Sequence, residues 1–248
     1  MYPILFTIGP LTLYTYGLML GLGFVAGVLV SSRRAEKRGI DPDSLFWFFI
    51  MVLVGGVAGG RLFHILLNLE YYPDFISIID TREGGLAIHG VLVGGLVAAL
   101  IYSRSRKLRL RALLDIVAPG LVLGQAIGRI GCLFSGCCYG IETGGTWGVI
   151  TRFAPGLRHP YQLYESAADF ALFAVLVWLS GRIDAEGGLF AAYVMIYSSS
   201  RFVLEFLRDN EGYLAGLSYG QWASLVGVVL GAAMWLGLRR SAAQSKPT

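Results

Sequence analysis

The sequence predicts an all-α, polytopic membrane protein of about seven transmembrane helices, and three observations predict it. The first is composition: of 248 residues, 55% are hydrophobic and only 15% charged, with a mean hydropathy of +0.63, which is too apolar for an ordinary soluble domain. The second is that seven apolar stretches are each long enough to cross about 30 Å of hydrocarbon, a distance that takes roughly 20 helical residues. The third is that the basic residues gather in alternate gaps between these stretches, which is the charge asymmetry of an inserted chain.

The predicted spans are 11–30, 45–67, 85–103, 112–130, 161–180, 187–207 and 218–238. No basic residue precedes the first and no small-residue cleavage site follows it, so it reads as a retained helix and not as a signal peptide. Arg33, Arg34, Lys37 and Arg38 follow the first span, and Arg104, Arg106, Lys107, Arg109 and Arg111 the third. Arg182 follows the fifth, and Arg239, Arg240 and Lys246 the seventh. These make thirteen of the twenty lysines and arginines. Their side is expected to be cytoplasmic, which puts the N-terminus outside and the C-terminus inside. Residues 1–248 are read as one integral membrane domain.

The longest loops, 70–84 and 132–160, both fall outside, where a functional face is expected. Segment 71–79, with aromatics and a proline, reads either as an interfacial stretch on the outer leaflet or as a plain connection.

The run from Gly128 to Gly140, Gly-Arg-Ile-Gly-Cys-Leu-Phe-Ser-Gly-Cys-Cys-Tyr-Gly, puts a guanidinium and several glycines at the outer end of an apolar span. An arginine near a helix centre costs about 2.5–3.5 kcal/mol on insertion, a cost that snorkelling, a partner or a bound anion must offset. Glycines allow close approach of backbone. Together they suggest a pocket for a phosphate-bearing ligand at membrane depth.

Other polar residues in the spans add to this. Arg201, Glu205 and Arg208 share one helical face, leaving one acid between two arginines and a net positive charge; they form either an anion site or a self-contained cluster. His89 lies in Gly84-Gly85-Leu86-Ala87-Ile88-His89-Gly90, and an intramembrane histidine flanked by glycines is a candidate functional group. Arg61 follows two glycines near His64. Tyr16 is read as an interface anchor or as a ligand. Asp115 is expected to be a charge partner at its helix start, Asp169 has no partner that spacing can name, and the run from His159 through Pro160 to Glu165 reads either as the start signal of the fifth helix or as a functional edge.

Cys132, Cys137 and Cys138 are the only cysteines. They lack a Cys-x-x-Cys pair, a neighbouring histidine and regular ligand spacing, so the reading is against zinc and no metal or cofactor is expected.

These motifs, taken in order, resemble the bacterial prolipoprotein diacylglyceryl transferase family. The matching segments are the Tyr16-Gly17 region, Gly60-Arg61, Gly85 to Gly90, Gly128 to Gly140, His159 to Glu165, and Arg201 to Arg208, which cover nearly the whole chain. The resemblance implies a seven-helix fold in the bacterial plasma membrane. It implies transfer of the diacylglyceryl group of phosphatidylglycerol to the lipobox cysteine of a prolipoprotein, forming a thioether and releasing glycerol phosphate. It also maps catalytic or substrate-binding importance onto Tyr16, His89, Arg129, Gly140, Arg201 and Glu205. Two departures stand out. The family usually has asparagine at the positions of Cys132 and Ser135 and glutamate at Cys137, and a second glycine where this chain has Val91, so a divergent subfamily is one reading.

The expected chemistry assigns Arg129 and Arg201 to the departing phosphate, whose growing charge needs fixed positive charge in a dry site. His89 is the general base for a thiol of ordinary pKa near 8.5, and Tyr16 orients the head group or the histidine. Arg61, Glu205, Gly140 and Arg208 complete the substrate-binding set. The expected partners are phosphatidylglycerol, a prolipoprotein signal peptide and membrane lipids, with no nucleic acid. Three other classes stay open: a non-catalytic lipid-binding paralogue, a membrane thiol oxidoreductase using Cys137-Cys138 or a Cys132 bridge, and a transporter, which the lack of repeated halves disfavours.

Overall fold

The computed structural model describes residues 3–9, 11–72, 74, 85–210 and 212–244. Arg82 and most of segment 71–79 lie outside the described residues, so the interfacial reading of that segment is not addressed. Seven α-helices are present among the described residues: α1 Thr15–Glu36, α2 Pro42–Leu67, α3 Ile88–Ser105, α4 Leu110–Ser135, α5 Tyr161–Leu179, α6 Gly188–Leu204 and α7 Tyr219–Gln244. Six are long and apolar enough to cross a membrane. The seventh, α6, has 17 residues and is continued by a 3₁₀ turn, Glu205–Leu207, so helix and turn together span the predicted 187–207. The chain is thus a polytopic, mostly helical membrane protein.

Two features differ from the sequence expectation. The first span starts at Thr15 and not at 11, because strands β1 (Ile4–Ile8) and β2 (Leu11–Tyr14) form an antiparallel hairpin ahead of it. Two further hairpins follow, β3 (Val149–Ile150) with β4 (Leu157–Arg158), and β5 (Tyr213–Leu214) with β6 (Leu217–Ser218). Such pairing satisfies backbone groups that the flanking helices leave open.

The chain divides into two compact units, Ser32–Leu113 and Met1–Ser31 with Leu114–Thr248. The first is built on α2 against α3. Gly55 and Gly59, spaced by four, face Gly90, Gly94 and Ala98: a Cβ on Gly59 would come within 2.5 Å of the Gly90 carbonyl, and one on Gly55 within 2.9 Å of the Gly94 carbonyl. Small residues at this spacing let membrane helices pack backbone to backbone, where lipid supplies no hydrophobic drive. Asp41 caps α2, accepting from the Ser44 backbone N–H at 3.0 Å.

The second unit repeats the device between α1 and α4, where a Cβ on Gly23 would meet the Gly124 carbonyl at 2.8 Å and one on Gly27 the Gly120 carbonyl at 2.8 Å. Its core is Ala118 and Val122 of α4, Leu172 and Leu176 of α5, and Leu189, Ala192 and Tyr193 of α6. Polar ties cross this core: Ser166 donates to the Ala126 carbonyl at 2.8 Å and Tyr193 to Gln125 at 3.1 Å.

Asp115 is buried there and accepts from the backbone N–H groups of Gly187 (2.7 Å) and Phe190 (2.8 Å). The carboxylate therefore serves the N-terminus of α6, where the helix dipole favours negative charge, beyond the role at its own helix start that the sequence suggested.

Candidate functional site

Within the second unit, α4, α5 and α6 bring three arginines onto two buried carboxylates. Glu165, in the first turns of α5, is 4% exposed in its side chain and pairs with Arg129 of α4 at 3.1 Å. The same carboxylate holds Arg201 of α6 through its other oxygen. Arg201 also meets Glu205 at 3.1 Å, and Arg208 approaches Glu205 at 3.7 Å.

Glu205 is further fixed by hydroxyl donors, Tyr161 at 3.3 Å and Ser218 at 3.4 Å. The guanidiniums of Arg201 and Arg208 lie 5.7 and 5.9 Å from the Tyr161 ring centre, within cation–π range. Two carboxylates thus meet three guanidiniums, whose N–H donors outnumber the four carboxylate oxygens and suit an anion.

The two sides of Glu165 are not equivalent. Its contact to Arg201 is a hydrogen-bonded ion pair, whereas its contact to Arg129 is an ion pair without the alignment of a hydrogen bond. The Arg129 side chain retains 23% exposure, against 14% for Arg201. Arg129 is thus the arginine of this pair most ready to turn its fork toward a phosphate. Asp169, for which spacing named no partner, lies buried one turn beyond Glu165, and Arg129 is the cation that acts on it.

Gly140 joins this cluster through its backbone. Its N–H donates to the His159 carbonyl at 3.0 Å, and it bridges antiparallel to Arg208. A Cβ at this position would come within 2.5 Å of the Leu207 carbonyl and 2.7 Å of the His159 side chain. Glycine is what lets the segments carrying Arg208 and His159 close on the loop after α4.

Tyr16 opens α1, and its ring lies against Gly131: a Cβ there would be 3.3 Å from the ring. It is 40% exposed and lines a cavity of ≈ 590 Å³ together with Tyr14, Gly17, Ser135, Cys137 and Arg152.

Of the residues singled out from sequence, Tyr16, Arg129, Gly140, Arg201, Glu205 and Arg208 all belong to this unit. His89 and Arg61 belong to the other. His89 is the second residue of α3, with its ring 6.4 Å from that of Phe63. Arg61 donates to the Gly85 carbonyl at 3.1 Å and lies 4.8 Å from the Tyr72 ring centre, while Tyr72 hydrogen-bonds His64 at 2.7 Å.

Sequence reasoning left Glu165 between a helix-start signal and the edge of a functional site, and missed Tyr161 as a support for Glu205. The available signal was spacing: Tyr161, Glu165 and Asp169 follow one another at four-residue intervals, which puts all three on one face of α5.

The three thiols, whose spacing along the chain reads against zinc, converge in space. Their sulfurs all lie within 4.8 Å of one another, and none is in a disulfide.

Comparison with known proteins adds an independent line. A family model described as Prolipoprotein diacylglyceryl transferase matches residues 3–237. The phosphatidylglycerol--prolipoprotein diacylglyceryl transferase of Clostridium tetani is 36% identical over 237 residues, covering 93% of this chain and 95% of that one. Its namesake in Trichormus variabilis is 36% identical over 255 residues, 96% and 90% of the two chains. That of Clostridioides difficile is 34% identical over 228 residues, 91% of each.

Proposed function

This chain belongs to the prolipoprotein diacylglyceryl transferase family, and we propose that it moves the diacylglyceryl group of phosphatidylglycerol onto the lipobox cysteine of a prolipoprotein in the bacterial plasma membrane. The observation that carries this reading is the Arg129, Arg201 and Arg208 cluster on Glu165 and Glu205, which gathers three guanidinium forks in an apolar chain.

In the reaction the thiol sulfur attacks the glyceryl carbon that bears the phosphate ester. A carbon–sulfur bond forms, the carbon–oxygen bond breaks, and glycerol phosphate departs with the electron pair. Negative charge grows on the departing phosphate, and guanidiniums already held in place stabilise it without reorganisation. Arg129 and Arg201 take this role. Glu165 and Glu205 aim the guanidiniums and leave further N–H donors to the ligand. Arg208 and Arg61 serve substrate binding, and Gly140 shapes the backbone beside Arg208.

The thiol proton goes to His89, assigned as general base because an imidazole can take up a proton at one ring nitrogen and is the commonest such group in catalysis. Tyr16, on the wall of the ≈ 590 Å³ cavity, orients the head group or the histidine. All 248 residues act as one transferase, with the cluster facing outward and the C-terminus cytoplasmic.

The test is transfer itself. The purified chain in phosphatidylglycerol vesicles should add a diacylglyceryl mass to a lipobox peptide, and should restore lipoprotein mobility in a transferase-depleted bacterium. Vesicles lacking phosphatidylglycerol should give none, and equal transfer from them would exclude the proposed donor.

A further inference from the structure

The thiols of Cys132, Cys137 and Cys138 have no part in the transfer reaction, where the attacking sulfur belongs to the prolipoprotein. Yet they converge, with all three sulfurs within 4.8 Å. Spacing alone does not bring this about. Cys132 lies in the last turn of α4, and the chain then reverses through two left-handed residues, Gly136 (φ 81°) and Cys138 (φ 59°). For a residue other than glycine that conformation is uncommon, and such positions concentrate at ligand clamps.

The reversed loop is held from outside itself. Thr151 donates to the Gly136 carbonyl at 2.7 Å, and Gln162 to the Cys137 carbonyl at 2.5 Å. The triangle is therefore a supported geometry and not a chance approach of mobile side chains.

We propose that Cys132, Cys137 and Cys138 form a binding site for a thiophilic closed-shell cation such as Zn²⁺ or Cd²⁺. Thiolate–zinc bonds near 2.3 Å need sulfur–sulfur edges of about 3.8 Å, so separations of up to 4.8 Å close with a shift of about 1 Å. Soft thiolates select soft d¹⁰ ions over Mg²⁺ or Ca²⁺. As the ion binds, the three thiols release three protons to water, and a divalent ion then leaves the site with a single net negative charge.

Two cations stand near the triangle: Arg129 lies one turn before Cys132 on α4, and Arg152 lines the same cavity as Cys137. A fourth ligand is at hand in the Ser135 hydroxyl, 3.2 Å from the Cys137 sulfur, or in water from the cavity that both residues line. Regular spacing concerns the order of ligands along the chain, whereas a metal ion responds to the positions of the sulfurs.

The test is a Cd²⁺ titration of the full-length, reduced chain in detergent, followed by the ultraviolet thiolate-to-cadmium charge-transfer band. One ion per chain is expected, with the intensity of three thiolates. Cys138→Ser should keep about two-thirds of that intensity and bind at least about tenfold more weakly; the triple variant C132S/C137S/C138S should show no band. Should the triple variant fail to fold, Cys138→Ser, checked by circular dichroism, decides alone. No band in the unaltered chain, a band persisting in the triple variant, or full intensity in Cys138→Ser would each overturn the site. So would a chain that leaves the membrane two hydrogens lighter, with two of the thiols joined.

Discussion

Glu165 on α5 lies 3.1 Å from Arg129 on α4, and through its second oxygen it also holds Arg201 of α6. One buried carboxylate thus joins three helices and sets the direction of both guanidiniums assigned to the phosphate. Glu205 supports the arrangement from the 3₁₀ turn after α6, so that neither arginine depends on lipid or water for its partner.

Glu165→Gln should therefore lose both stability and activity. Removing one partner of a buried pair typically costs about 3–5 kcal/mol, because the remaining charges stay uncompensated. Thermal unfolding in detergent and transfer rate should fall together. A variant as stable as the parent and fully active would show that the arginines are positioned by something else.

Arg129→Lys should lose most activity although its charge is retained, because an ammonium cannot make the two parallel hydrogen bonds of a guanidinium fork. A loss of roughly 10²-fold in transfer rate is expected by analogy with removing one preorganised donor. Near-normal transfer with lysine at 129 would mean that the site uses only charge at that point.

Replacing Cys132, Cys137 and Cys138 together by serine should leave measurable transfer, with losses that reflect packing at the end of α4. His89→Ala in the same background should abolish it. If the folded triple variant is inactive while His89→Ala transfers normally, the chain does its chemistry with its own thiols and the base assignment fails.

Orientation is checked in that cysteine-free background by single cysteines at Ser32, Ser105 and Thr143. The first two should label only with a membrane-permeant reagent, and Thr143→Cys from outside the cell. Labelling at 105 by an impermeant reagent in intact cells would invert the topology and turn the arginine cluster inward.

The sequence by itself determined the class, the seven helices found among the described residues and the residues most worth attention. Hydropathy has a long range: a 20-residue apolar run has few stable alternatives to a membrane helix, so all seven spans were found, with ends that differ by up to six residues. The start of α1 differs because a hairpin of apolar, β-prone residues reads locally like more helix. The arginines were legible because a guanidinium in an apolar stretch is costly enough to need a reason.

Only the tertiary structure decided who partners whom. Glu165 lies 36 residues before Arg201 and 36 after Arg129, and nothing in the chain between them encodes the meeting. Asp115 looked like a charge partner for its own helix start, yet it caps a helix 72 residues away through the Gly187 N–H. The thiols lacked any regular spacing and still met, because left-handed backbone at Gly136 and Cys138 folds the loop back on α4. Hydrophobic periodicity is a property of neighbouring residues and survives in one dimension. Ion pairing, capping and sulfur convergence depend on distances between elements, which packing of α4, α5 and α6 fixes and the linear order does not.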